Sequence, residues 1–180
     1  MSLDFLHVNY NFPDAVKLNE IMLRQFPPEE YMPLDEQLEL QAKGEVELWA
    51  FYDNKELIGF ATLRTTPEMI YLFFLAFDDP FQGKGYGKEA VHRIGSMYAD
   101  RAFTIDFELV NEAAENNIQR IRRRKFYLNC GFSETGWGLE YLGVRYEIFC
   151  MNKSFNIGQF KEMLDKLPIY NFCPAYFRIL

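Results

Sequence analysis

The residues Met69 to Phe77 read Met-Ile-Tyr-Leu-Phe-Phe-Leu-Ala-Phe, an unbroken apolar run without a charge. It is too short to cross a membrane as a helix and too apolar for a half-solvated strand. Its length and its aromatics predict a central strand buried on both faces. Asp78-Asp79-Pro80 stops it, and three glycines follow within Gln82-Gly83-Lys84-Gly85-Tyr86-Gly87. A helix then runs to about Ala99, with Ala90, Val91, Ile94, Met97 and Tyr98 as its buried stripe. A buried strand, a glycine loop and a helix start together make a recipe for an anion site. The helix start presents unpaired N–H groups and the positive end of its dipole. Glycines let the backbone approach phosphate oxygens without a Cβ clash, and Lys84 and Lys88 add positive charge.

The rest of the chain is arranged around this unit. Phe5 to Tyr10 reads as a first strand, and Pro13 opens a helix with Ala15, Leu18 and Met22 at helical spacing, ended by Phe26-Pro27-Pro28. Leu34 to Lys43 is a second helix closed by Gly44. Val46 to Tyr52 and Glu56 to Thr65 form a hairpin about the turn Asp53-Asn54-Lys55. Phe103 to Val110 alternates, with Phe103, Ile105, Phe107 and Leu109 on one face and Thr104, Asp106 and Glu108 on the other. A helix from about Asn116 to Asn129 is capped by Gly131. Phe132 to Trp137 and Gly143 to Met151 pair antiparallel, with Val144, Tyr146, Ile148 and Cys150 on one face of the second. A last helix, Asn156 to Leu167, leads into the aromatic tail Ile169 to Leu180. The alternation of strands and helices gives an α/β or α+β layout around a mixed sheet. At 180 residues it suits one domain, with a core over about 46–151 and a C-terminal helix and tail over 155–180.

Composition excludes several functions. Net charge is −7, which disfavours nucleic acid and anionic membranes and favours a cationic substrate weakly. Three cysteines, Cys130, Cys150 and Cys173, are scattered without a CxxC, which fits a reducing compartment. The two histidines, His7 and His92, stand far apart with no ligand spacing, so no metal is expected. Met1 to Phe5 lacks the pattern of a secretory signal and no apolar stretch is long enough to span a bilayer, so a cytoplasmic location is expected. The tail, with Tyr170, Phe172, Tyr176 and Phe177, is too apolar to remain free. It packs on the domain, roofs a groove or forms a homodimer contact.

Two common phosphate motifs fail at the loop. A GxGxxG beginning at Gly83 meets Lys88 where glycine is required, and Gly83-Lys84 lacks the following Ser or Thr of a P-loop. The pattern left, Gln82-x-x-Gly85-x-Gly87, resembles the (Arg/Gln)-x-x-Gly-x-(Gly/Ala) signature of the GNAT superfamily of acyl-CoA N-acyltransferases. Phe126-Tyr127-Leu128-Asn129-Cys130-Gly131-Phe132 resembles its second hallmark, a helix ending Phe-Tyr-x-x-x-Gly-Phe. The resemblance covers roughly Val46 to Met151. Where many members carry Asn and Ala before the Tyr, this chain has Arg120 and Arg123, within Arg120-Ile121-Arg122-Arg123-Arg124-Lys125. That run is similar to a bacterial branch with a double Arg before Phe-Tyr. Three readings of it stay open: contacts to CoA phosphates, nucleic acid, or a solvated helix face complementing the dipole.

The resemblance implies a mixed, mostly antiparallel sheet flanked by helices, with a splay between the fourth and fifth strands. It implies acetyl-CoA as co-substrate, with pyrophosphate on Gln82, Gly83, Lys84, Gly85, Tyr86, Gly87 and Lys88, and the pantetheine arm on the backbone of Leu75 and Phe77. It implies direct acetyl transfer to a small-molecule or peptide primary amine in a ternary complex, without an acyl-enzyme. Tyr127 matches the general acid, since a phenol with a pKa of about 10 donates without ionising at neutral pH. Glu108, toward the C-terminal end of its strand, is the candidate base, with Asp106, Tyr71, Glu29 and Glu30 as others. A non-catalytic acyl-CoA-binding module and a binder of a non-acyl nucleotide are the alternatives.

Overall fold

The computed structural model describes residues 3–28, 30–167 and 173–179. Its strands are β1 (Asp4–His7), β2 (Glu47–Asp53), β3 (Glu56–Thr65), β4 (Met69–Phe77), β5 (Ala102–Glu108), β6 (Ser133–Tyr141), β7 (Val144–Met151) and β8 (Ala175–Arg178). Its helices are α1 (Ala15–Gln25), α2 (Leu34–Ala42), α3 (Tyr86–Met97), α4 (Asn117–Asn129) and α5 (Ile157–Asp165), with a 3-10 turn over Asp79–Phe81. The strands hydrogen-bond in the order β1-β2-β3-β4-β5-β7-β6-β8. The sheet is mixed and mostly antiparallel, with β4 parallel to β5.

Two compact units divide the chain: Met1–Thr65 with Leu72–Arg93, and Thr66–Tyr71 with Ile94–Leu180. In the first, the β2–β3 hairpin turns through Asn54 and Lys55, at φ 47° and 70°. Both central residues are left-handed, as a two-residue hairpin turn requires to match strand twist. Helix α1 turns Leu18, Ile21 and Met22 inward at helical spacing, all buried. Each such side chain contributes about 1.5–3 kcal/mol on burial. They join Leu48, Ala50, Phe60, Phe74 and Ala76 in one apolar cluster.

In the second unit, β5 lies between β4 and β7. Phe103, Ile105 and Phe107 are buried while Asp106 and Glu108 are half-buried, as the alternation gives, and only Thr104 of the second face is buried as well. Thr104 satisfies its buried hydroxyl by donating to the Ile70 carbonyl at 2.8 Å. The parallel β4–β5 register holds Met69↔Ala102, Ile70↔Phe103 and Tyr71↔Thr104, and ends there. The Phe-Tyr-x-x-x-Gly-Phe segment has a local backbone reason. Gly131 is left-handed at φ 96°, the Phe132 N–H bonds the Tyr127 carbonyl at 3.2 Å, and the Gly131 N–H bonds the Leu128 carbonyl at 3.0 Å. This is a Schellman cap, and the Tyr127 and Phe132 rings make its accompanying apolar contact at 5.6 Å.

Some expectations shift. The first strand ends at His7 rather than Tyr10, and the first strand of the closing hairpin extends to Tyr141 rather than Trp137. Met97, expected in a buried stripe, is 47% exposed, because α3 ends there. Part of the aromatic tail is a strand: Ala175 to Arg178 pairs antiparallel with β6, so this part packs on its own chain. Tyr170 and Phe172 lie outside the described residues. No helix among the described residues is long and apolar enough to cross a membrane.

Candidate functional site

The first group of candidate residues lies in the first unit, at the end of β4 and the start of α3. Gly83 and Gly85 are left-handed, at φ 69° and 93°, and a Cβ on Gly83 would meet nothing within 4 Å. The first α3 bond runs from the Glu89 N–H to the Gly85 carbonyl at 3.1 Å. The N–H groups of Tyr86, Gly87 and Lys88 therefore stand in the first turn, where a helix has no internal acceptor for them. Gln82, Gly83, Lys84, Gly85 and Lys88 are exposed. These features fit a pyrophosphate: turned backbone, open space and donors at a dipole's positive end.

Two side chains of this loop are committed to the protein. Gln82 donates from Nε2 to the Phe77 carbonyl at 3.0 Å and to Gln25 Oε1 at 2.8 Å. Tyr86 is buried, donates its hydroxyl to Asp53, and stacks on Phe77 with centroids 6.2 Å apart. The bond to Asp53, ahead of burial, raises the Tyr86 pKa. Tyr86 thus offers a ligand its backbone, and its side chain pins the helix start to β2 and β4. Leu75 is half-buried and Phe77 buried on β4. Asp53 and Gln25, which fix the loop, carry no local sequence signal, because 33 and 57 positions separate them from Tyr86 and Gln82.

The second group lies in the second unit, on α4 and β5. Tyr127 stacks on Phe107 with centroids 5.4 Å and planes 17° apart, and meets Phe126 and Phe132 edge-on. Its hydroxyl makes no hydrogen bond to a described residue. Its pKa is pushed up to about 12, chiefly by burial; Arg123 opposes the shift, and Cys130 and Asp106 add to it. The phenol keeps its proton across the neutral range and has it to give.

Glu108 sits in a different setting. Its Oε1 receives Arg120 Nη2 at 2.8 Å and Asn116 Nδ2 at 3.1 Å, and its Oε2 receives Arg123 Nη1 and Asn116 Nδ2, each at 3.2 Å. Arg120 also donates to the Leu109 carbonyl at 2.9 Å and to Asn116 Oδ1 at 2.7 Å. Arg124 is held by Glu147 at 3.0 Å and by Glu134. Arg120, Arg123 and Arg124 are thus engaged by carboxylates of their own chain. The Glu108 carboxylate fastens the start of α4 to the end of β5, a role that proximity in sequence does not reveal. Asp106 accepts a hydrogen bond from the Tyr71 hydroxyl. Glu29 lies outside the described residues.

A family model described as the acetyltransferase (GNAT) family matches residues 15–132. The chain belongs to the GNAT acetyltransferase family. Both hallmark segments fall inside the match, the loop wholly and the Phe-Tyr-x-x-x-Gly-Phe cap up to its last residue. Solved structures share the fold at low identity. A GNAT-family protein from Bacteroides thetaiotaomicron aligns at 20% identity and TM-score 0.69, over 91% of this chain and 95% of its own. An aminoglycoside 6′-N-acetyltransferase complexed with coenzyme A aligns at 17% and 0.65, over 82% and 96%. The ribosomal-protein-S18-alanine N-acetyltransferase of Escherichia coli aligns at 14% and 0.58, over 86% and 96%. No curated protein matches.

Proposed function

We propose that this GNAT protein transfers an acetyl group from acetyl-CoA to a primary amine by direct attack in a ternary complex, as a cytoplasmic enzyme. The observation that carries the reading is the Tyr127 hydroxyl, protonated up to about pH 12 and without a hydrogen-bond partner among the described residues. A buried tyrosine that serves packing alone usually bonds its hydroxyl to the backbone; this hydroxyl makes no such bond among the described residues. Acetyl-CoA supplies the activated acyl group when bound. The first-turn N–H groups of Tyr86, Gly87 and Lys88, with the left-handed Gly83 and Gly85, receive its pyrophosphate, with Lys84 adding charge. The backbone of Leu75 and Phe77 receives the pantetheine arm. Tyr127 gives its proton to the departing thiolate, and the proton shed by the nitrogen as the amide forms restores the phenol by way of solvent.

The amine must attack as the free base, although an alkylammonium has a pKa of about 10.4. Glu108 as the base would have to work from within its clamp of Arg120, Arg123 and Asn116. Our reading gives it the anchoring role instead.

The test is thiol release with acetyl-CoA against an amine panel, for the native chain and Tyr127→Phe. Loss of the acid is expected to lower kcat by about 100-fold or more, with acetyl-CoA binding retained. The basic limb that Tyr127 contributes to the native pH–rate profile is expected near 12, not near the ordinary phenol value of about 10. The sign follows from the raised pKa: the acid form persists to higher pH and activity is lost only as the phenol ionises. Unchanged turnover in Tyr127→Phe across pH would remove the assignment. Stabilisation by acetyl-CoA without thiol release from any amine would leave a non-catalytic acyl-CoA-binding module.

A further inference from the structure

Three tyrosines and an aspartate gather on one face of the sheet in the second unit. Tyr71 stands opposite Thr104, and Thr104, Asp106 and Glu108 alternate onto a single face of β5. Glu108 is opposite Tyr146, Tyr146 opposite Leu139, and Leu139 opposite Tyr176. Residues directly opposite in a ladder share a face. Tyr71, Asp106, Tyr146 and Tyr176 therefore project together, from β4, β5, β7 and β8.

Contacts bear this out. The Tyr71 hydroxyl donates to Asp106. Phe160 of α5 meets the Tyr71 ring at 5.7 Å and the Tyr176 ring at 6.4 Å, both edge-on. The Tyr176 hydroxyl is buried and has no hydrogen-bond partner among the described residues. Such an orphan is costly inside a protein and calls for an explanation. Burial, ahead of the charges of Asp165 and Asp106, raises its pKa, so it stays a neutral hydroxyl.

The chemistry of the cluster selects a ligand. An alkylammonium has three N–H donors, and it wants a carboxylate, neutral oxygen acceptors and the negative faces of aromatic rings. Asp106, the tyrosine hydroxyls and the rings supply all three, and the same carboxylate repels an anion. The rings already act as a surface for cations: Lys161 lays its ammonium 4.8 Å from the centroid of Tyr176 and 5.9 Å from that of Trp137. Asp106 is also within electrostatic reach of Tyr127, whose pKa it raises behind burial and Cys130. Tyr176 lies outside residues 15–132, so the family match assigns it nothing.

We propose that Asp106, flanked by Tyr71 and Tyr176, is the subsite that receives the ammonium of the primary alkylamine substrate, with Asp106 as counter-ion and the Tyr176 hydroxyl as second partner. The assignment of that amine as acetyl acceptor rests on the acetyl-transfer reading above; the ammonium site itself does not.

Calorimetric titration of the full chain with n-butylamine, 1,4-diaminobutane and n-butanol tests the site directly, and thiol release from acetyl-CoA tests its use. Both amines are expected to bind and the alcohol not. Asp106→Asn is expected to weaken amine binding about tenfold or more, and Tyr176→Phe about three- to tenfold. Acetyl-CoA binding is expected to stay unchanged, and in turnover the loss falls on the amine KM rather than on kcat. Amine binding and KM unaltered in both folded variants would overturn the proposal, as would equal binding of n-butanol. If Asp106→Asn does not fold, Tyr176→Phe, which removes a single oxygen, decides alone. Amine binding that depends on Asp106 without any thiol release supports the ammonium site and removes the acetyl-transfer reading instead.

Discussion

The glycine loop before α3 and the corner between β5 and α4 offer two kinds of chemistry. On the proposed reading the loop works through its backbone. Gly83 and Gly85 set left-handed dihedrals, the first turn of α3 presents N–H groups, and the Gln82 and Tyr86 side chains are spent on holding the loop in place. The corner works through side chains. Glu108, Arg120, Arg123 and Asn116 satisfy one another, and Tyr127 is held by ring contacts, its hydroxyl making no hydrogen bond to a described residue. A backbone site tolerates side-chain truncation and fails when its dihedrals change. A side-chain site behaves the other way.

That contrast can be broken by experiment. The largest effect is expected at Gly85, where φ is 93° and an L side chain is strained. If the native chain binds acetyl-CoA as proposed, ligand at about 100 times its Kd is expected to add about 2.7 kcal/mol of stability. Gly85→Val should abolish that gain in thermal unfolding with ligand, and a retained gain would mean the backbone does not carry the donor.

The next effect is expected at the corner. Glu108→Gln or Arg120→Met leaves a partly buried charge short of a partner, and each should cost about 2 kcal/mol in urea unfolding. Glu108→Gln is expected to keep the shape of the pH–rate profile. Loss of one limb in that variant would restore Glu108 as the base and make the corner part of the reaction.

The smallest effect is expected at Lys84, exposed with its ammonium 5.5 Å from the Phe81 ring centroid. Lys84→Ala should weaken acetyl-CoA about two- to threefold by calorimetry, as a solvated charge does. A hundredfold loss would show that the loop relies on its side chains after all.

Much of the framework was legible along the chain. The bounds of β3 and β4 are those the hydrophobic pattern gives, and α4 with its Gly131 cap follows from a local signal. The tail is too apolar to stay free, but its strand is not legible in the sequence. Ala175 to Arg178 becomes β8 because β6 offers an edge, and four residues carry no period of their own to announce it. Met97 departs from the pattern for the opposite reason: its spacing is helical, but the helix stops there. The basic run of α4 could be read three ways from sequence. Arg120, Arg123 and Arg124 found carboxylates on β5, β6 and β7, and only the pairing of those strands with α4 shows it.

The sequence by itself determined what depends on a few neighbouring residues: where glycine must turn left-handed, where a helix begins and is capped, and hence the two segments that mark the family. These are backbone conformations, set by sterics and by hydrogen bonds that close within about one turn. Only the tertiary structure decided which side chains share a partner. Tyr71, Asp106 and Tyr176 come from strands separated by 35 and 70 positions, and they meet because sheet register, fixed by the burial of whole faces, brings them onto one surface.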